Sequence, residues 1–435
     1  MNTDVIRNVQ RINKKILYIS LSLFLILFLL FILIKVEIFK SMDFSIQKSL
    51  QPDYPYINNK IPRDIYIIHR LNKIYIPYSL IIIINNFSNI YKTFNLFQIL
   101  SVACYISCIL KFIFFKIIMN DENSIIYYCG KGWNMPSTEM IISVVFYLTL
   151  WNLFFDYKDK NYVTKINKFF KFLLLCIIIA FNITNLIVLT KIGYYLFSHL
   201  IFSAILGILI YIFIFETNII KKYNSKEFCS FIKKKFELYI IINFLLVILT
   251  FIPYNIERHI KNNNQPECIP IQGSFFYKSK SPFITYVDDT YSLISIFFAH
   301  IFVVVGIKCE LAFFFGNNIQ NFEQYHFGVN IDDLNLEKEL KNNTGSIIVT
   351  RETEWNNTSI IKSLIRLIIT FILAGICFLP YYSIKTNGVD FSTIFLVKYF
   401  LSYALFSFGI TFLYKIIFRI FRLSNEILGS ILNDQ

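Results

Sequence analysis

The sequence predicts an all-α fold, a polytopic transmembrane helix bundle of about ten spans, and three observations carry that prediction. Long apolar runs divide the chain. A hydrocarbon core takes about 20 apolar residues per helical span, and residues 16–34, ILYISLSLFLILFLLFILI, meet that demand without one charge. The composition agrees: 56% of the 435 residues are hydrophobic and 16% are charged, against about 25% charged in a soluble domain. Finally, Lys and Arg collect in alternate gaps between the runs, the pattern that orients membrane helices.

Taken in order, the spans fall near 16–34, 74–91, 95–118, 140–155, 167–190, 193–216, 237–254, 287–314, 361–384 and 392–417. The first reads as a retained anchor. Its apolar core exceeds the roughly 7–15 residues of a cleavable signal and ends in Lys35-Val36-Glu37, without a small-residue cleavage site. The second is interrupted by Asn85, Asn86 and Asn89, and the fourth is short. Three regions result. Residues 1–73 hold a cytosolic N-terminus, the anchor and a lumenal loop. Residues 74–255 form a helical core. Residues 256–435 hold the last membrane helices, a lumenal loop at 256–286 and an acidic cytosolic loop at 315–360.

Orientation follows from charge. Arg7, Arg11, Lys14 and Lys15 keep the N-terminus cytosolic. The gaps holding Lys158, Lys160, Lys165 and Lys168, then Lys221, Lys222, Lys226 and Lys233–Lys235, fall on the same side, as do Arg419 and Arg422. A net charge of +14 would suggest nucleic acid in a soluble protein; here it fits basic loops facing anionic lipid, and no nucleic-acid partner is expected. The sequons at Asn342 and Asn356 fall in the cytosolic loop and are expected to stay unmodified. None of the eight cysteines forms a metal-type pair. Several lie in apolar runs as small fillers, and a disulfide between Cys129 and Cys268, both lumenal, stays open.

Five segments combine polar residues with span edges. Cys129-Gly-Lys-Gly-Trp-Asn-Met-Pro-Ser-Thr-Glu139 enters the fourth span, and Thr190-Lys191-Ile-Gly-Tyr-Tyr-Leu-Phe197-Ser-His199 enters the sixth. Tyr286-Val-Asp288-Asp289-Thr290 opens the eighth; Ser363-Leu-Ile-Arg366 and Tyr382-Ser-Ile-Lys385 flank the ninth. In this order and spacing the chain resembles the sphingosine-1-phosphate phosphatases, a branch of the type 2 phosphatidic acid phosphatase superfamily, over about residues 75–425.

The resemblance implies hydrolysis of a lipid phosphate monoester in sphingolipid metabolism, a phosphorylated sphingoid base as partner, the endoplasmic reticulum as location, and neither metal nor cofactor. Its motifs map onto this chain incompletely. Lys111 stands at the first motif, but Phe112 replaces Asp and Ile117-Ile118-Met119 replaces Pro-Arg-Pro. The second keeps Pro136, Ser137 and Thr138, with Glu139 in place of His. The third has Thr190 and Lys191 for Ser-Arg, Phe197 for the nucleophilic His and Ile201 for Asp. One His must attack phosphorus and another must protonate the leaving alkoxide, and both are absent, so impaired catalysis is expected. His199, two residues past the expected slot, is the fallback catalytic residue; on a helix that offset turns it by about 200°. Lys111 and Lys191 read either as a residual anionic head-group site, with Pro136, Ser137 and Thr138, or as snorkelling residues.

Elsewhere the bland readings lead. Asp288-Asp289 reads as the N-cap of the eighth span, or as a contact with the mouth of a substrate cavity or with a cation. Lys308 and Glu310 read as boundary charges, and His300 as a residue facing the bundle interior. The alternative function on the same scaffold is a non-catalytic lipid-binding or regulatory membrane protein. A transporter ranks last, because midplane charge pairs and Gly- or Pro-broken helices are scarce.

Overall fold

The computed structural model describes residues 19, 22–23, 45–46, 49, 67–68, 76–87, 90–118, 136–155, 165–192, 197–216, 225–263, 282–319, 322, 360–384, 397–421 and 423. Of the span expected at 16–34 only residues 19 and 22–23 are described, and of the loop after it only 45–46, 49 and 67–68; Cys129, Cys268 and both sequons lie outside the described residues. Among the described residues every regular element is helical. In chain order they are α1 (Ile76–Phe87), α2 (Ile90–Ile118), α3 (Thr138–Phe155), α4 (Lys165–Ile192), α5 (Phe197–Glu216), α6 (Ser225–Lys234), α7 (Phe236–Asn263), α8 (Pro282–Phe315), α9 (Ile360–Cys377), α10 (Leu379–Ser383) and α11 (Val397–Ile420). Each span expected from 74–91 onward falls on one or two of them. Among the described residues five stretches are long and apolar enough to cross a membrane, within α2, α4, α8, α9–α10 and α11; shorter apolar helices occur in α1, α3, α5 and α7.

Helix ends follow local chemistry. Pro282 opens α8, where its missing N–H costs nothing and its fixed φ suits the first turn. Asp288 and Asp289 therefore sit more than one turn inside the helix, and the N-cap reading is corrected. Gly316 and Asn317 end α8 with φ of 54° and 65°, the left-handed exit that stops a helix.

The chain divides into two compact units. The first comprises residues 1–77, 99–222 and 248–294. In it α4 runs antiparallel to α3: Ser143 donates to Asn182 Oδ1 at 2.9 Å, and further along Trp151 Nε1 donates to the Lys171 carbonyl at 3.0 Å. α5 runs parallel to α3. The two backbones meet at Gly207, where a Cβ would lie 3.0 Å from Val144 Cβ, and Asn152 reaches Tyr211 Oη at 2.8 Å further on. One apolar cluster joins Ile99, Ala103 and Leu110 of α2 to Ile141, Val145, Phe202, Leu206 and Ile210. A second joins Met140, Val144, Val188, Leu189 and Leu200.

The second unit comprises residues 78–98, 223–247 and 295–435. Here α8 and α11 run parallel, with α9 antiparallel to α11. Phe298 meets Phe400 at 4.7 Å between centroids, and at the other end Arg419 lies 5.5 Å over the Phe314 ring. α9 places Arg366 Nε 2.7 Å from the Leu423 carbonyl, while the turn after it packs Phe378 against Phe406 at 5.0 Å. Tyr78 of α1 completes that aromatic cluster, 5.3 Å from Phe378 and 5.1 Å from Phe406.

Large apolar side chains also point outward. Phe172 and Ile183 of α4, and Ile361, Ile368 and Ile372 of α9, are all more than half exposed. In water such stripes would be a liability; on helices of this length they are the surface that touches lipid. The protein is an integral membrane helical protein in contact with the bilayer.

Candidate functional site

The second-motif residues form the start of α3. Ser137 is its N-cap: Met140 N–H donates to Ser137 Oγ at 3.3 Å, one of the donors that every helix start must satisfy. Glu139 occupies the first turn, where a carboxylate complements the positive helix end. Pro136, Ser137 and Thr138 are buried and Glu139 is half-buried.

Across from it lies the start of α5. Ser203 Oγ accepts from the Ser137 N–H at 2.7 Å and donates to the His199 carbonyl at 2.6 Å. One hydroxyl thus stitches the start of α3 to the turn of α5 that holds His199. His199 is buried, while Phe197 and Ile201 are half-buried. The end of α4 joins them, because Val188 and Leu189 pack with Met140 and Leu200. Thr190 is buried there and donates to the Leu186 carbonyl at 2.9 Å; Lys191, in the last turn, is exposed.

The structure therefore gathers the Pro136–Glu139, Thr190–Lys191 and Phe197–Ile201 stretches at one end of the first unit. Lys111 lies in α2, one residue past Leu110 of the other apolar cluster, and its side chain lies outside the described residues. The chemistry of this end is that of packing and capping. Ser137 N–H, an N-terminal donor that an anion would seek, is already taken by Ser203.

The second unit holds polar contacts that the sequence reading passed over. Asn85 is buried and donates its amide to the Ile410 carbonyl; Asn86 donates to Ile82 at 2.9 Å and accepts from Thr370 Oγ1 at 3.3 Å. Two of the asparagines that interrupt the second span, Asn85 and Asn86, thus make interhelical bonds. His300 is buried, as expected, and Tyr239 Oη lies 2.8 Å from its Nε2, with Phe94 packed on the imidazole at 5.5 Å.

Glu310 needs a correction. It is only 1% exposed and forms an ion pair with Lys415, itself 9% exposed. A charge so placed costs several kcal/mol to desolvate, so it is a structural partner and not a boundary charge. Lys308 is half-buried, with its ammonium 5.4 Å over the Phe236 ring. Lone charges inside apolar runs were the available signal for the Glu310–Lys415 pair. Ser203 carried none beyond its place four residues after His199.

No family model, no curated protein and no solved structure matches this chain.

Proposed function

We propose that this chain is a ten-span membrane protein of the sphingosine-1-phosphate phosphatase type, housed in the endoplasmic reticulum with both termini cytosolic. In this reading it binds a phosphorylated sphingoid base or a related lipid phosphate, and hydrolysis is impaired. The observation that supports it is the meeting of the two motif stretches through Ser137, Ser203 and His199. The motif positions hold Glu139, Phe197 and Ile201, so the two histidines that in that mechanism attack phosphorus and protonate the alkoxide are both missing. A carboxylate within 4 Å of a phosphate oxygen adds about 4 kcal/mol of repulsion per unit charge at an effective dielectric near 20. The scaffold in this reading serves lipid recognition, with Lys191 at the membrane edge as the cation that meets the head group. The non-catalytic, regulatory alternative is the limit in which no turnover remains.

The test is sphingosine-1-phosphate presented to the purified protein in lipid nanodiscs. Phosphate release should stay at the level of empty discs, while the lipid binds saturably and Lys191→Ala weakens binding several-fold. Phosphate release that disappears in His199→Ala would overturn the impairment. Absence of saturable binding would overturn the lipid-phosphate assignment itself.

A further inference from the structure

The last helix does not keep one period. Within α11, Val397–Leu401 and Gly409–Leu413 are π-helical, and the segments around them are α-helical. A π turn accommodates an extra residue in an otherwise regular helix, and such bulges are rare and often functional. Before the second π turn the neighbouring helices are out of step: Phe298 touches Phe400, eight residues before Gly306 on α8 and eleven before Thr411 on α11. Beyond that point the helices march in step, with Gly306, Glu310 and Phe314 facing Thr411, Lys415 and Arg419.

The in-step stretch is fixed by contacts that begin inside the second π turn. A Cβ on Gly306 would overlap the Thr411 hydroxyl and lie 3.1 Å from Thr411 Cβ. The Asn85 amide takes the Ile410 carbonyl, one of those that the π turn displaces from α-helical bonding. Lys415 meets Glu310, and Arg366 binds the Leu423 carbonyl.

We infer that Gly409–Leu413 is a two-register element and that the Glu310–Lys415 pair locks it in the π register. If the turn relaxes to α, every later residue rotates by about 100° and advances by about one residue's rise. Tyr414 then takes the place of Lys415 opposite Glu310, and Phe418 takes the place of Arg419 opposite Phe314. An ionised Glu310 opposes that slip, because the slip leaves a buried carboxylate facing a phenol and not an ammonium. Loss of the charge at Glu310 removes the opposition. A single buried polar pair specifying register has a precedent in coiled coils.

Disulfide trapping in the full-length protein reads the register directly. One cysteine replaces Phe314 and the other replaces either Arg419 or Phe418; a protease site between residues 323 and 359 shows the link as two fragments held together. With Glu310 intact, the 314/419 pair should cross-link several-fold more than 314/418. Glu310→Gln should reverse that preference, and Glu310→Lys with Lys415→Glu should restore it. Deleting Leu413 supplies a further variant: it removes the surplus residue, so the chain has one register whatever stands at 310, and Glu310→Gln should no longer shift the cross-link. A 314/419 preference that survives Glu310→Gln in the undeleted chain would overturn the lock. A shift of equal size in the Leu413 deletion would overturn the π turn as its origin.

Discussion

Gly306 and Thr411 show how little room single positions leave in this molecule. With hydrogen in place of a side chain, Gly306 lets α11 approach until the Thr411 hydroxyl occupies the volume that a Cβ would need. Thr411 cannot swing aside cheaply, because its hydroxyl donates to the Ser407 carbonyl at 2.7 Å and its residue is 1% exposed. Gly306→Ala should therefore destabilise the protein by about 1–3 kcal/mol, the usual cost of overpacking. Thr411→Ala in the same chain should recover part of that loss, since the methyl that remains still lies close. Thermal unfolding of the detergent-solubilised protein measures both; a Gly306→Ala variant as stable as the parent would mean that the helices separate without cost. Gly409 is the matching point on the α9 side, where a Cβ would lie 2.8 Å from Cys377 Sγ.

The same constraint, repeated along a helix, gives each element two faces. On α9, Ile361, Ile365, Ile368, Ile372 and Ile376 are exposed, while Ser363, Arg366, Thr370, Ala374 and Cys377 are buried. The polar residues turn inward because their bonds are there: Arg366 to Leu423, Thr370 to Asn86. Ile368→Lys should therefore raise the apparent cost of membrane insertion by about 2.5–3.5 kcal/mol, and Ile368→Ala by far less. Glycosylation-reporter insertion of the α9 segment measures both, and equal costs would mean that Ile368 does not face lipid. Element positions were legible in the sequence because an apolar run of span length has few ways to satisfy its backbone other than as a helix. The start of α8 was not, because a helix continues past the hydrophobic run, and hydropathy marks the membrane, not the last hydrogen bond. The π turns of α11 were not legible either. They depend on α8, about a hundred residues away in sequence, and nothing local in Gly-Ile-Thr-Phe-Leu announces an extra residue. At the candidate site the stretches that would come together were legible, but the Ser203 bridge was not, since a serine in an apolar helix shows no partner until the fold supplies one.

Across the second unit, the helix directions put several chain segments at one end. Arg419 lies over Phe314 and Arg366 binds Leu423, so the end of α8, the start of α9 and the end of α11 share a level. Lys308 over Phe236 brings the start of α7 there as well. Residues 316–359 therefore leave and re-enter the unit at the end where the chain's last described residues lie. That end also carries Lys233, Lys234, Lys235 and Arg419, all exposed. Basic residues beside short loops are retained on the cytosolic side, and acidic residues such as those at 332–339 contribute little to orientation. The proposed ten-span topology and this shared end then make one prediction. In microsomes neither Asn342 nor Asn356 should acquire sugar, although both are formal acceptors. A sequon made by Gln272→Asn, which creates Asn-Gly-Ser in the 256–286 segment, should be glycosylated. The assay is an endoglycosidase-sensitive mass shift. Sugar on Asn342 or Asn356 would invert the second unit, because the helix ends that flank the loop and the last described residues are tied to one end by contacts that a change of orientation cannot separate.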